Sequence, residues 1–387
     1  MNARTAPRPI LFTLAVMLLS SAAFALETAE KKLDLTFPVA DGATLKIENL
    51  LGSVEVRMLR EPGPVRVEAR VVSEGKTAED ATGLVAGVEL LRKTADGVET
   101  VHVAFPLDSN SMFRAPKEGL KGIFSRWTAG LMRRGSSAVE YGGRDVMISK
   151  DRKAAGLAVH LTVRIPSDMS TSIRQGVGSI DVRFVRGDIN IDTDAGTVDV
   201  ISCFGNLNLS AGEADVRVAS LQGGSLSVET GGGVMELEGI NSKQVVLNSS
   251  AGLIQGSKLD VDDIQVNNLA GDVSFIDLVP VNMDVRTGSG DIDVAFRIRK
   301  ARNAAIRSDS GNVVLRINEQ LSFGLIAETK KGEVKLLGMN LELLEQDGLT
   351  GRYKAGSGGV DVTVNAPGGE LTVRPYDAKR IDLMSKR

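Results

Sequence analysis

The residues that could carry out chemistry are few and far apart in this chain. Its 387 residues include two histidines, His102 and His160, and a single cysteine, Cys203. Each histidine stands between apolar residues, as Val-His-Val and Val-His-Leu, which is typical of a cross-strand or solvent-facing position on a β-strand. Two histidines and one cysteine make a poor zinc site, so neither a metal centre nor a nucleophile–base pair is indicated.

Serine and glycine motifs do not point to an enzyme either. Gly288-Ser289-Gly290 and Gly356-Ser357-Gly358 lack the strand-to-helix context of a hydrolase nucleophile. The run Gly231-Gly232-Gly233 lacks the lysine and the following helix of a nucleotide-binding loop. We therefore expect no enzyme activity and no cofactor.

Carboxylates are the most abundant reactive groups. The pattern predicts two outward positions that recur from repeat to repeat, one shared by Asp181, Asp199, Asp215, Asp293 and Asp361, the other by Asp272 and Asp291. Stacked like charges repel, so such a column could bind a cation, but a solvated face that resists edge pairing is the favoured interpretation. A carbohydrate-active β-helix enzyme is an alternative, although no acid pair stands out and one Trp and three Tyr offer little for sugar stacking.

Glycines recur at a spacing close to 20 residues through the second half of the chain. An apolar residue lies five positions before each of these glycines and another lies two positions after it. A hydroxyl or amide residue stands three positions before each one, in the pairs Thr193/Gly196, Thr230/Gly233, Ser249/Gly252, Asn268/Gly271, Thr287/Gly290, Ser308/Gly311 and Thr329/Gly332.

This pattern predicts an all-β fold, a single-chain β-solenoid with stacked coils of about 20 residues and two strands per coil. Glycine would supply the backbone angles of the turn, and the hydroxyl or amide would bond backbone groups that the turn leaves unpaired. One unit cannot bury its apolar side alone, so stacking must create the core. A meander of hairpins is the alternative arrangement.

The composition divides the chain into five parts. Residues 1–25 are predicted to be a signal peptide, because Arg4 and Arg8 precede an apolar run and Ala23-Phe24-Ala25 forms a small-x-small cleavage site. We further predict a β-rich N-terminal part at 26–105, a basic insertion at 106–155, the solenoid at 156–375 and a basic tail at 376–387. Within the second part, Thr77 is expected to cap a short helix that ends at Ala86.

An exported protein is therefore expected, periplasmic or extracellular and associated with the cell envelope. No later stretch approaches the roughly 20 apolar residues of a membrane span. The formal net charge is −3, which gives no bias towards nucleic acid. Cys203 leaves no intrachain disulfide and is predicted to be a small buried apolar residue.

The basic insertion is the one segment with a charge bias, with ten Lys or Arg against five Asp or Glu. Apolar residues at helical spacing between 120 and 131, flanked by basic residues, predict an amphipathic helix that includes the only Trp of the chain. That helix could pack on the solenoid as a lid, or it could contact a membrane or partner. The candidate contact residues are Lys117, Lys121, Phe124, Arg126, Trp127, Leu131, Arg133 and Arg134.

Several short motifs occur in an order that resembles a known group. They are Phe37-Pro38-Val39 with Gly42, the segment Leu45-Lys46-Ile47-Glu48-Asn49, then Gly52-Ser53-Val54-Glu55-Val56, Val163-Arg164-Ile165-Pro166 and the Thr-x-x-Gly coils from Thr193 onward. In this order they resemble the bacterial putative-adhesin family, a group of β-solenoid domains in cell-envelope proteins. The resemblance covers about residues 33–375 apart from the basic insertion. It implies a right-handed stacked sheet at the envelope and no catalytic residue.

The function expected from the sequence is that of an exported, non-enzymatic β-solenoid, acting as an adhesin-like or scaffold protein of the bacterial cell envelope. The alternatives are a regulatory or self-assembling envelope module that docks through the basic insertion, and the carbohydrate-active enzyme named above. The partner could be an envelope protein, a polymer or a membrane surface, and nucleic acid is not expected. Open coil ends leave end-to-end association as a further expectation.

Overall fold

The computed structural model describes residues 26–40, 42–116, 136–297, 302–317, 322–330, 334–356 and 359–376. Most of these residues lie in β-strands, and the described part of the chain contains a single α-helix. Successive coils of the chain stack in parallel register, which confirms the predicted β-solenoid and excludes a meander of hairpins.

The N-terminal part surrounds the first coil with antiparallel strands. β2 forms this coil, since its first half is parallel to β5 and its second half is parallel to β9. The pairs β1–β3, β3–β9, β4–β5 and β7–β8 are antiparallel. The elements are β1 (Glu27–Phe37), β2 (Thr44–Met58), β3 (Val65–Gly75), α1 (Ala78–Ala86), β4 (Glu89–Ala95), β5 (Val98–Ala104), β6 (Met112–Arg114), β7 (Ser136–Tyr141), β8 (Arg144–Ser149) and β9 (Ala155–Ile165).

Helix α1 begins where the sequence predicts. Thr77 is its N-cap, and Thr77 and Asp80 each accept a hydrogen bond from the backbone N–H of the other. Glu79 and Asp80 lie in the first turn, where the helix dipole favours acidic side chains. Buried Ala81 and Val85 face the strands, and the helix lies against β1 and β3.

The central part of the chain is the stack of coils. Each coil carries one segment before a corner glycine, one segment after it and a short third side. Cα partners in successive coils are 18 or 19 residues apart through most of the stack, as for Ile189 with Leu207 and Val245 with Ile264. The strands are β10 (Ser170–Arg183), β11 (Ile189–Ile201), β12 (Leu207–Ala219), β13 (Ser225–Gly232), β14 (Val234–Ser249), β15 (Leu253–Ala270), β16 (Val273–Ser289), β17 (Ile292–Phe296), β18 (Asn303–Ser308) and β19 (Val313–Ile317).

The last coil is out of chain order. β24 lies between β18 and β20, and β25 lies between β19 and β21, so residues 361–375 insert between the coil before them and an earlier one. Tyr353 lies in an antiparallel hairpin, outside the parallel coils. The strands are β20 (Phe323–Thr329), β21 (Val334–Leu336), β22 (Glu342–Asp347), β23 (Thr350–Ala355), β24 (Asp361–Ala366) and β25 (Leu371–Pro375).

Two long sheets result from this stacking. The front sheet contains the segments before the corner glycines, in the order β4–β5–β2–β10–β11–β12–β13–β14–β15–β16–β18–β24–β20–β23–β22. The back sheet contains the segments after them and ends at β21. Val, Ile and Leu from both sheets fill the space between them, so the core runs the length of the stack.

The corner glycines form one column along the solenoid. Gly271 has φ +119°, and a Cβ placed on it would lie 2.1 Å from the carbonyl oxygen of Gly252 in the preceding coil. Only glycine allows coils to approach this closely at the corner. The same contact recurs with a separation of 2.1 Å or less at Gly178, Gly252, Gly290, Gly311 and Gly369.

A column of buried polar side chains accompanies the corner glycines. Asn268 donates from Nδ2 to the carbonyl oxygens of Gly252 and Gly271, both at 3.0 Å. Thr287 donates to Gly271 at 3.1 Å, and Ser308 donates to Gly290 at 2.9 Å. The hydroxyl or amide before Gly271, Gly290 and Gly311 thus satisfies a corner carbonyl, as the sequence pattern predicts. The prediction fails at two other coils, because Thr230 bonds to the Ser249 hydroxyl and the Thr193 hydroxyl makes no hydrogen bond to a described residue.

The basic insertion is described only at its two ends. These ends form β6, β7 and β8, and Tyr141 donates a hydrogen bond from its hydroxyl to the carbonyl oxygen of Val103 at 2.7 Å. Residues 117–135, which include the predicted amphipathic helix, lie outside the described residues.

Candidate functional site

The eight contact residues predicted in the basic insertion all fall within residues 117–135, outside the part of the chain that the structure describes. They stay a prediction for membrane or partner contact. The described residues offer a different candidate, the outer surface of the front sheet.

The outer surface of the front sheet carries columns of short polar side chains, and we call this surface the polar face. The first column contains Asp188, Asn206, Ser225, Gln244, Asp263, Asn282 and Asn303. The second contains Ser172, Asn190, Asn208, Ser227, Val246, Gln265, Asp284 and Ala305. Parallel stacking repeats each position at roughly 4.8 Å, so side chains that are polar at all positions except Val246 and Ala305 face solvent at regular intervals.

Hydrogen bonds between neighbouring coils order the polar face. Asn206 donates from Nδ2 to Oδ1 of Asp188 at 2.8 Å, and its own Oδ1 accepts the backbone N–H of Ser225 at 2.9 Å. Asn282 donates to Oδ1 of Asp263 at 2.7 Å. Each amide is thus held in one orientation while part of its hydrogen-bonding capacity stays available to a ligand.

Ion pairs neutralise part of the charge on the polar face. Arg286 forms an ion pair with Asp284 at 2.7 Å, and the hydrogen bond to that carboxylate raises the pKa of Arg286. Arg174 contacts Asp192 at 2.7 Å and Asp194 at 3.0 Å. Burial raises the pKa of Asp194, although Arg174 acts in the opposite direction. Arg174 faces two carboxylates, and Asp188 and Asp263 contact amides, so the face keeps an acidic character and disfavours an anionic ligand.

A shallow groove of about 290 Å³ crosses the polar face near its centre. Gln244, Asp263, Asn282 and Asn303 lie along one side, and Gln265 and Asp284 lie beside them. All six are amides or carboxylates, the outward Val246 also lines the groove, and the buried residues Val245, Ile264 and Met283 lie beneath it. An extended polar chain could lie across several coils and bond to the same type of group in each.

The predicted carboxylate columns are only partly correct. Asp181 and Asp199 are direct neighbours, and Asp293 lies further along the same column of the back sheet. Asp215 was wrongly grouped, since it pairs with Thr197, and so was Asp361, which pairs with Asn303 on the front sheet. The error arose because these two residues do not stand three positions after the corner of their coils, which lies at Ala214 for Asp215 and at Gly369 for Asp361.

Carboxylates at the corner bond to the backbone. Oδ1 of Asp272 accepts the backbone N–H of Asp291 at 2.8 Å, and Oδ1 of Asp291 accepts the backbone N–H of Asn312 at 2.7 Å. Asp215 does the same for Val234 at 2.9 Å. Asp272 and Asp291 therefore share one position, as predicted, and link successive coils. Within the described ranges, no group of three or more His, Cys, Asp or Glu side chains could hold a metal ion.

Both histidines make cross-strand contacts, as predicted. His102 lies 2.8 Å from Oε2 of Glu48 and stacks on Tyr141. His160 Nδ1 lies 2.9 Å from Oγ of Ser53 on the neighbouring strand. Cys203 is buried, as its apolar interpretation requires, and burial raises the pKa of its thiol. These three residues lie in separate parts of the solenoid wall.

We expect acid to destabilise the protein through His160. Burial, aided by the nearby charge of Arg70, lowers the pKa of His160 from 6.5 to about 4. Below about pH 6.5 the unfolded chain takes up the proton before the folded chain does, so stability falls as the pH falls towards 4. Between pH 7 and pH 5 this linkage corresponds to about 2 kcal/mol. Urea unfolding at both pH values should show a smaller pH-dependent loss for His160→Asn, and equal losses in the two proteins would contradict this assignment.

One buried ion pair was not predicted from the sequence. Arg114 Nη1 lies 2.6 Å from Oε2 of Glu74, and both side chains are almost fully buried. They line a cleft of about 440 Å³ beside Lys76, Arg152 and Lys153. Forty residues separate the two partners, and nothing in the local pattern marks either as buried, so only the fold brings them together.

No helix in the described ranges is long and apolar enough to span a bilayer. No curated protein matches the chain. Three solved structures show low overall similarity to this chain. A putative cell adhesion protein from Clostridium sporogenes is 9% identical, with 90% of this chain and 100% of that one covered and a TM-score of 0.21. A putative lipid binding protein from Parabacteroides distasonis is 8% identical, with coverage of 90% and 97% and a TM-score of 0.40. A putative adhesin from Parabacteroides merdae is 10% identical, with coverage of 90% and 96% and a TM-score of 0.32.

The family comparison is more direct. The Toastrack DUF4097 profile matches residues 147–374, which is more than half of the chain and includes every coil from β10 onward. This stretch carries the corner glycines and the buried polar column described above. The chain belongs to the Toastrack DUF4097 family.

Proposed function

We propose that this protein is an exported, non-enzymatic, adhesin-like or scaffold protein of the cell envelope that binds an extended polymer along its polar face. The observation that carries the proposal is the polar face itself, where amides and carboxylates repeat coil after coil in ordered columns. A repeated surface of this kind favours many weak, equivalent contacts along a long ligand.

The chemistry of the polar face favours a neutral polysaccharide. Asn and Gln side chains donate to and accept from hydroxyl groups, Asp side chains accept from them, and the acidic character of the face disfavours an anionic polymer. The names of the similar solved structures include adhesins, which is compatible with this role.

A sedimentation assay with insoluble cell-wall polysaccharide tests the proposal. The combined variant Gln244→Ala, Asp263→Ala, Asn282→Ala and Asn303→Ala removes one column from the groove while leaving the buried side chains in place. Loss of several equivalent contacts should weaken retention by about tenfold or more, since multivalent binding falls steeply as contacts are lost.

The matched control removes outward side chains from the back sheet, at Glu236, Gln255 and Ser274. This variant should be retained like the wild type. Equal retention of both variants, or no retention of the wild-type protein, would overturn the proposal. Soluble sugar released during incubation would favour the carbohydrate-active alternative instead.

A further inference from the structure

Both ends of the front sheet are hairpin strands with an open outer edge. β4 pairs with β5 at the N-terminal end, and β22 pairs with β23 at the C-terminal end. In the part of the chain that the structure describes, no strand pairs with the other edge of either β4 or β22. An edge of this kind is a template for a strand from another molecule.

The two edges carry exposed leucines and opposite charge. Leu91 on β4 is 46% exposed and Leu344 on β22 is 58% exposed. The sequence Glu-Leu-Leu-Arg-Lys-Thr-Ala of β4 has a net positive charge, whereas Glu-Leu-Leu-Glu-Gln-Asp of β22 is acidic. Large exposed aliphatic side chains beside a free edge usually mark a contact surface.

The directions of the two edge strands permit antiparallel pairing between copies. β4 runs antiparallel to β5 and therefore opposite to the coils. β22 runs antiparallel to β23, which is itself antiparallel to β20, so β22 runs in the same direction as the coils. When two molecules are stacked head to tail with their coils aligned, β22 of one meets β4 of the next as an antiparallel pair.

We propose that copies of this chain associate head to tail, with β22 of one copy paired to β4 of the next in a continuous front sheet. The antiparallel register that places Leu344, which lies at a bulge of β22, opposite Leu91 also places Glu342 opposite Lys93. The interface joins two different surfaces, and because the coils of successive copies are aligned along one axis, it produces open chains of copies instead of closed rings. Fifteen front-sheet strands per copy give an axial repeat of about 70 Å at roughly 4.8 Å per strand.

Sedimentation velocity over a range of protein concentrations tests this assembly. The wild-type protein should form a concentration-dependent series of species larger than the monomer. Leu91→Lys alone and Leu344→Lys alone should each leave only monomer, because every junction uses one edge of each kind. Leu269→Lys is the matched control, since Leu269 is 69% exposed but lies at a corner between the ends, and it should assemble like the wild type.

Mixing the two end variants distinguishes a head-to-tail junction from other contacts. Leu91→Lys retains an intact β22 and Leu344→Lys retains an intact β4, so an equal mixture should give dimers and nothing larger. Lys93→Glu and Glu342→Lys should each weaken association, and the double variant should restore it. Assembly lost in Leu344→Lys but kept in Leu91→Lys would indicate a tail-to-tail contact and overturn the proposal, as would a wild-type protein that stays monomeric. The polysaccharide sedimentation assay depends on the polar face and not on β4 or β22, so failure of polymer binding and failure of head-to-tail association can be distinguished.

Discussion

Alanine at Gly271 is expected to destabilise the solenoid by more than about 4 kcal/mol, which is severe for a single methyl group. Its Cβ would lie 2.1 Å from the carbonyl oxygen of Gly252, and its φ of +119° is strained for any residue with a side chain. The contact is with backbone, so relief requires two coils to separate and break pairing along both sheets. The free energy of unfolding measured by urea titration is the readout.

Gly223→Ala is the matched control for this experiment. Gly223 also has a left-handed φ, +79°, but a Cβ there would have no atom within 4 Å. Only the backbone cost applies, about 1–2 kcal/mol. If both variants lost the same stability, close approach of the coils would not explain the corner glycines.

Loss of Arg114 is expected to have the second largest effect. The variant Arg114→Met removes a hydrogen-bonded cation from the carboxylate of Glu74, which is almost fully buried. Breaking a buried ion pair from one side costs about 3–5 kcal/mol, whereas replacing both partners is often close to neutral. We therefore expect the double variant Arg114→Met, Glu74→Gln to recover most of the stability lost by the single variant.

Arg144→Met provides a surface comparison for this result. Arg144 pairs with Asp108 at 2.7 Å, a distance close to that of the buried pair, but both side chains are exposed. An exposed pair contributes about 0–1 kcal/mol, so this variant should unfold at nearly the wild-type urea concentration. If the double variant at Arg114 and Glu74 were less stable than the single one, the ion pair would not be the cause.

The repeat was predictable from sequence because the same physical constraint acts on every coil. Thr287 bonds to a corner carbonyl, and Gly290 allows the close backbone contact at the corner. Each requirement restricts the residue type at a fixed position in the repeat, so both can be recognised in the sequence. The cap of α1 at Thr77 was predictable for the same reason. Features that depend on a residue and its near neighbours therefore appear in the sequence.

Features that depend on distant segments were not predictable. Arg114 and Glu74 meet only after the N-terminal strands assemble, and Tyr353 resembles a coil residue although it lies in a capping hairpin. The polar face was also missed. Asn206 and Gln244 look like ordinary surface residues in sequence, and only the register shows that they form one column with Asp263.

The late insertion of β24 and β25 sets an order for assembly of the C-terminal end. Among the described strands, β20 pairs only with β24 and β23, and β24 lies between β20 and β18. β20 therefore cannot be connected to β18 until the chain has been synthesised beyond residue 366. During synthesis the N-terminal coils can stack as soon as they have been made. β20 to β23 can join the stack only after β24 has been made. β24 and β25 therefore connect the terminal strands to the rest of the stack. A protease that removes residues 361–375 would remove both strands and detach β20 to β23 from β18 and β19.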